Sequence, residues 1–313
     1  MIFFILICIS LFFPIICLEN NYQLGHNFSY IVAHTCKDNL SREGDLPFLS
    51  GDTFRAYADH IYDETNATFK SEKVKIGDTI FVISFLLFDF FANEHPKIKQ
   101  PYILITHNSY FYAPGEFIKF LNDPKIFMWF GVNKDSNHSK FIAIPLGLCS
   151  KYRRPYKSKD LMDLALTSKT NLCYCNFNLS TNYNLRKLVK DYFCDKNFVI
   201  YSEICEQDVY LNYAAKSKFL ISPQGRGMDC FRTWECFYLN TIPIVKSSFL
   251  DELYDDLPAL IINNWEEVTE AFLENQYDII QSKKNSYNYK KLNFGYWSNL
   301  IDQAKNSCKS NYS

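Results

Sequence analysis

Short apolar blocks of strand length alternate with helix-length segments along most of this 313-residue chain, and the alternation runs twice. In the first pass "DTIFVIS" (78–84) reads as a buried strand, "FLLFDFFANEH" (85–95) as an apolar helix and "PYILITHNS" (101–109) as a strand. "PGEFIKFLND" (114–123) follows as a helix, then "KIFMWFG" (125–131) and "KFIAIPLG" (140–147) as strands. The second pass sets strands at "NLCYCNF", "NFVIYSE", "KFLIS", "TIPIVK" and "LPALIIN". Helices fall at "NLRKLVKDYF", "DVYLNYAAKS", "DCFRTWECFYLN" and "WEEVTEAFLEN". Continuous apolar strands separated by helices predict an α/β class with parallel sheets covered on both faces.

Between the passes, the basic, polar "SKYRRPYKSKD" (150–160) reads as an interdomain linker. The expected organisation is a leader at 1–18, a Rossmann-like domain with its linker at 19–160, a second at 161–282 and a helical tail at 283–313. Two such halves would place a ligand in the cleft at the carboxyl ends of their strands.

Composition narrows the function classes. Hydrophobic residues make up 48% and aromatics 17%, which excludes a disordered chain. With 33 basic against 34 acidic residues the net charge is −1, so nucleic acid is not the expected partner.

The leader "MIFFILICISLFFPIICLEN" is apolar from Ile2 to Leu18, at the lower limit for spanning a bilayer, and lacks a basic start. It reads as a signal peptide or short signal anchor, which predicts a membrane contact if uncleaved and a place in the secretory pathway, in the ER or Golgi lumen, or export. Of 11 cysteines, Cys8 and Cys17 fall in the leader, and the nine that remain cannot all pair. Cys173 and Cys175 form a lone C-x-C without a second pair, so no zinc site is expected. Sequons at Asn27, Asn39, Asn66, Asn137, Asn178 and Asn311 would make a glycoprotein in a eukaryotic lumen.

The stretch "SPQGRGMDCFRTWE" (222–235) concentrates the candidate chemistry. A strand, a glycine-bearing loop and a helix in that order form an anion site: backbone N–H groups approach a phosphate and the helix N-terminus adds partial positive charge. Ser222, Gly225, Arg226 and Gly227 form the loop, with Asp229 as the expected N-cap and Asn240 near the C-cap. Arg226 can grip a phosphate bidentately, and Arg232 can do so from the first helical turn. Glu235 either accepts from a ribose or pairs with Arg232 within the helix. Lys246, at the end of "IPIVK", could reach donor phosphate or base.

The residues from "AAKSKFLISPQGRGMDCFRTWECFYLNTIPIVK" through "EEVTEAFL" resemble the donor-binding half of exostosin-type glycosyltransferases. "FLSGDTFRAYADHIYDET", "ILITHNS", "WFGVN" and "IPLG" resemble exostosin-like proteins in the other half. The resemblance implies a GT-B-like fold, two Rossmann-like domains with parallel sheets facing a cleft. It also implies an enzyme that moves a sugar from a nucleotide-sugar donor to a glycan or glycoprotein acceptor, with no cofactor and no active-site metal. The sequence contains no D-x-D triplet, the carboxylate pair a metal-dependent transferase would need to bridge ion and diphosphate.

An inverting transferase of this kind needs a base for the acceptor hydroxyl. His107, just past a strand end, is the first candidate, with Asp52 and the pair Asp59 and His60 as rivals, and Asn108 and Ser109 on the acceptor side. "PQGRG" departs from the family pattern by a glutamine where a basic residue is expected. The alternative is a catalytically silent nucleotide- or sugar-binding relative. Other α/β nucleotide enzymes lack support, since neither G-x-x-x-x-G-K-[ST] nor G-x-G-x-x-G occurs.

Overall fold

Among the described residues ten short strands form two sheets, and every pairing in both is parallel. The computed structural model describes residues 42–65, 69–151 and 156–312. The leader, the middle of the linker and the sequons at Asn27, Asn39 and Asn66 lie outside the described residues.

The first sheet has the order β1 (His60–Tyr62), β2 (Thr79–Ile83), β3 (Tyr102–His107), β4 (Ile126–Gly131), β5 (Phe141–Ala143). β2 and β3 are buried at every position, as strands covered on both faces must be. Ile103, Leu104 and Ile105 are fully buried, which stabilises the fold by roughly 1.5–3 kcal/mol per side chain. The second sheet runs β10 (Leu260–Ile262), β9 (Ile242–Lys246), β8 (Ser217–Ile221), β6 (Asn171–Cys175), β7 (Val199–Tyr201). This is the two-sheet, GT-B-like α/β layout that the sequence implies.

Three segments depart from the sequence expectation. Residues 84–97 form a succession of short helical turns rather than one helix, with buried Phe90 and Phe91 turned onto the first sheet's core. "PGEFIKFLND" forms the tighter 3₁₀ helix Gly115–Asn122. Asp59 and His60 open edge strand β1 at the amino end of the sheet. There Asp59 accepts from Thr79 and Lys305 and His60 bonds Asp78, so this pair is bound to structural partners and is not a base at the strands' carboxyl ends.

The described residues belong to one compact unit with cores around each sheet. Helix α1 (Gly51–Tyr57) lies against β3, and α2 (Ser158–Leu164) begins within the expected linker and packs on the second half. The second sheet is flanked by α3 (Tyr183–Phe193), α4 (Gln207–Lys216), α5 (Phe231–Tyr238), the short α6 (Asp251–Tyr254) and α7 (Glu270–Ser282). The terminal helix α8 (Phe294–Tyr312) returns to the first sheet, where Trp297, Ile301 and Cys308 pack with Ile103, Ile105 and Phe130. The same core takes in Trp234 and Phe237 of α5 and Tyr254 of α6, so the two sheets share apolar packing. Among the described residues no helix is long and apolar enough to cross a membrane.

Candidate functional site

Loops from the carboxyl ends of both sheets meet. Asn133, just beyond β4, accepts the backbone N–H of Asp229 at 2.9 Å, and Leu146, beyond β5, donates its N–H to the Asp229 carboxylate at 2.8 Å. Lys134 adds an ion pair to Glu252 at 2.9 Å. Asp229 is not the helix cap expected from the sequence. The cap position belongs to Cys230, with no side-chain cap bond, while the buried Asp229 carboxylate takes N–H groups from Leu146, Cys230 and Trp234 and the hydroxyl of Tyr254. Asn240 does sit just past α5 with φ +53, the left-handed conformation that terminates helices.

Behind this junction lies a cavity of about 230 Å³ at the carboxyl ends of β8 and β9. Ser222, Gln224, Thr233, Lys246, Ser247 and Trp265 are among its lining residues. Ser222 Oγ is 2.9 Å from Thr233 Oγ1, which closes the strand end onto the first turn of α5. Lys246 is exposed at the cavity. Gly225 and Gly227 close the loop by a backbone bond of 3.1 Å. Space favours glycine at both: a Cβ at Gly227 would lie 2.8 Å from Asn133 Oδ1, which would have to shift, and one at Gly225 would lie a tight 3.0 Å from Arg186 Nη2.

The loop is held from below by Arg186 of α3, which is 4% exposed. Its guanidinium donates to the carbonyl oxygens of Gln224, Pro223 and Asn178 at 2.9–3.0 Å. Arg232 also packs on Phe177; the two guanidinium carbons are 5.5 Å and 5.8 Å from that ring's centroid. Burial, reinforced by the neighbouring charge of Arg232, pulls the Arg186 guanidinium down to about 10. Neither arginine is within ion-pair distance of a carboxylate among the described residues, and Arg232 Nε is buried without a hydrogen-bond partner. Glu235, the partner an intrahelical pair would use, instead accepts the hydroxyls of Tyr156 and Tyr210 at 2.6 Å and 2.9 Å. Burial opposes the charge of Arg232, but Tyr210, Cys230 and Glu235 nearby outweigh it and hold the guanidinium above its ordinary value in the charged form. Two charged arginines beside a glycine loop and a helix N-terminus suit an anion. Arg226 is exposed and sits over the ring of Tyr110, 5.7 Å from its centroid.

The predicted base meets an obstacle. His107 is 1% exposed, its Nδ1 accepts the Asn108 N–H at 2.7 Å, and its Nε2 donates to the Pro145 carbonyl at 3.1 Å. Burial holds it near 4, below the ordinary 6.5. Both nitrogens serve the fold, so the expectation that His107 takes the acceptor's proton is corrected. Beside it, Asn108, at φ +57, donates to Asp52 Oδ1 at 3.1 Å. Asp52 is 1% exposed, and its Oδ2 has no hydrogen-bond partner. Asp52 lies in the first turn of α1, where Ser50 caps the backbone N–H of Thr53. Ser109 Oγ accepts from the Phe111 N–H at 3.3 Å.

No family model matches the chain, and no curated protein matches it. Solved structures do. A pneumococcal O-GlcNAc transferase, GtfA, in complex with UDP and GlcNAc aligns at 10% identity over 75% of this chain and 58% of its own, with a TM-score of 0.38. A chain of a GtfA/B complex aligns at 10% identity over 75% and 59%, with a TM-score of 0.40. The UDP-GlcNAc 2-epimerase of Methanocaldococcus jannaschii aligns at 9% identity over 68% and 74%, with a TM-score of 0.33. The chain spans less than two thirds of the length of the first and second of these.

Arg186, Phe177 and Asn133 were not among the sequence candidates. Arg186 did carry a signal: with Val189 and Phe193 it occupies the buried stripe of its helix, where an arginine is out of place unless something needs its charge. Among the described residues no group of three or more His, Cys, Asp or Glu is placed to hold a metal ion.

Proposed function

We propose that this chain is a glycosyltransferase of exostosin-like type that takes a nucleotide-sugar donor in its C-terminal half and transfers the sugar to a glycan or glycoprotein acceptor. The observation that carries the proposal is a pair of arginines with no carboxylate ion pair among the described residues, buried Arg186 and half-buried Arg232, packed about Phe177 beside the loop 222–229, whose Ser222 and Gln224 line the cavity. A diphosphate placed there is neutralised by Arg232, by the first N–H groups of α5 and by exposed Lys246 and Arg226, which performs the electrostatic work a metal does elsewhere. Arg186 is a positioning residue, since its N–H groups are spent on the loop's carbonyls. Ser222, Gly225 and Gly227 shape the loop, and the nucleoside occupies the cavity beside Ser247 and Trp265.

Asp52 is the base in this reading. Asn108 fixes one carboxylate oxygen, and the other, buried without a hydrogen-bond partner, is the atom that would take the acceptor's proton. The enclosure of both Asp52 and His107 favours one second reading, a nucleotide- or sugar-binding relative that performs no transfer. Thermal-shift measurements of the folded chain with UDP, GDP, CMP and ADP, with and without EDTA, test the donor site. A shift with one nucleotide, retained in EDTA and lost in Arg232→Met, supports it, whereas folded protein that responds to none of the four removes it. Donor turnover with acceptor, or its absence, then separates the two readings.

A further inference from the structure

The loop after β3 exposes three consecutive aromatic side chains: Tyr110 at 50%, Phe111 at 42% and Tyr112 at 41%. Such side chains normally turn inward, and an exposed cluster held in place marks a surface that binds something. This loop is held. Asn133, itself 1% exposed, donates to the carbonyl oxygens of Ser109 at 3.2 Å and Phe111 at 3.4 Å, and its own carbonyl accepts the Ala113 N–H at 3.1 Å. The Tyr110 and Phe111 rings stack, with centroids 5.0 Å apart and 16° between planes.

The same Asn133 side chain accepts the Asp229 N–H and fills the space beside Gly227. One amide therefore sets the aromatic loop in register with the proposed donor loop, and Arg226 over Tyr110 adds a second link between them. At its other end the loop begins beside Asn108, the residue that orients Asp52.

We infer that residues 109–112 form the acceptor platform, on which a neutral, β-linked pyranose chain lies with its C–H faces against the aromatic rings. The inference rests on the proposed transferase function and names its acceptor class. Stacked rings present flat apolar faces, and β-linked equatorial pyranoses present flat C–H faces at successive residues. Ser109, Tyr110, Phe111 and Tyr112 carry no charge, so the loop offers nothing to draw an acidic sugar. Arg226, which belongs to the donor loop, lies over the Tyr110 ring.

The test is saturation-transfer NMR on the full chain with cellotetraose, chitotetraose and xylotetraose, and maltotetraose as the coiled α-linked comparison. At least one β-linked tetraose is expected to receive saturation at its ring C–H protons. Its affinity falls about tenfold in Phe111→Ala and in Tyr112→Ala and is kept in Phe111→Trp. All three variants change exposed side chains and retain the wild-type nucleotide thermal shift. Transfer to none of the β-linked tetraoses, equal binding by wild type and the alanine variants, or preference for maltotetraose overturns the platform. Because the NMR experiment contains no nucleotide, loss of the nucleotide shift alone removes the donor reading and leaves the platform result standing.

Discussion

Asn133 Oδ1 and the backbone N–H of Asp229 meet at 2.9 Å across 96 positions of sequence, and the bond ties the first sheet's loops to the second's. Asp229 extends the tie through its carboxylate, where all four contacts are donors: Leu146 N–H and Trp234 Nε1–H on Oδ2, Cys230 N–H and Tyr254 O–H on Oδ1. Burial raises this carboxyl above the usual range although those four bonds oppose it. The junction is a pocket built for an acceptor-only group.

Asp229→Asn therefore destabilises the chain even though it removes a buried charge. Whichever way the amide turns, its NH₂ faces at least one fixed N–H donor, Cys230 on one side or Leu146 and Trp234 on the other, and a buried mismatch of that kind costs about 1–3 kcal/mol. Urea unfolding of the variant should show that loss, and a variant as stable as wild type would contradict the donor assignment.

Arg232→Met separates a functional arginine from a structural one. In the free chain Arg232 keeps a buried Nε without a partner and lies near Arg186 beside Phe177, while Tyr210 and Glu235 favour its charge, so its removal should change stability by no more than about 1 kcal/mol. Nucleotide affinity should fall at least about tenfold, because a charge-assisted phosphate contact is lost. A variant that is less stable than wild type but binds nucleotide normally would make Arg232 a packing residue.

Much of the fold was legible before any coordinates, for a physical reason. Strands β2, β3 and β8 are buried on both faces or nearly so, and each appears in the sequence as an unbroken apolar run. β1 was not legible, because three half-buried edge residues beginning with a histidine carry no such run. Residues 84–97 misled for the opposite reason: their apolar density suits a helix, yet the buried rings of Phe90 and Phe91 are placed by successive short turns. In the site, the Ser222–Arg232 loop and helix could be found locally from glycine, arginine and strand end. Asn133 could not, since its role lies in bonds to Ser109, Phe111 and Asp229 that only the folded chain brings together.

Asp52→Asn tests the base. Asn108 Nδ2 already donates to Oδ1, so the amide can keep that bond and the fold while losing the basic oxygen. Turnover should drop by about 10²- to 10⁴-fold with the nucleotide shift unchanged. Unchanged turnover would move the base elsewhere.

His107 makes a pH prediction whose sign follows from its depressed folded value, about 4 against 6.5 for the free imidazole, with burial as the main cause. The folded chain holds the ring neutral, with Nε2–H donating to Pro145 and Nδ1 accepting from Asn108. Protonation would put a charge in a buried site and a second N–H against the Asn108 backbone donor, with Asn108 Oδ1 at 3.2 Å its acceptor. Stability from this group is thus complete above about pH 6.5, begins to fall as the unfolded chain gains its proton, and is lost as pH drops through about 4. Between pH 7.5 and pH 5 the loss from this one residue is about 2 kcal/mol. His107→Gln can still donate to the Pro145 carbonyl but has no group that titrates, so its unfolding free energy should change less across that interval by about the same amount. Parallel pH profiles for wild type and variant would show that His107 gains its proton easily in the folded chain. The catalytic role expected of it from the sequence would then be open again.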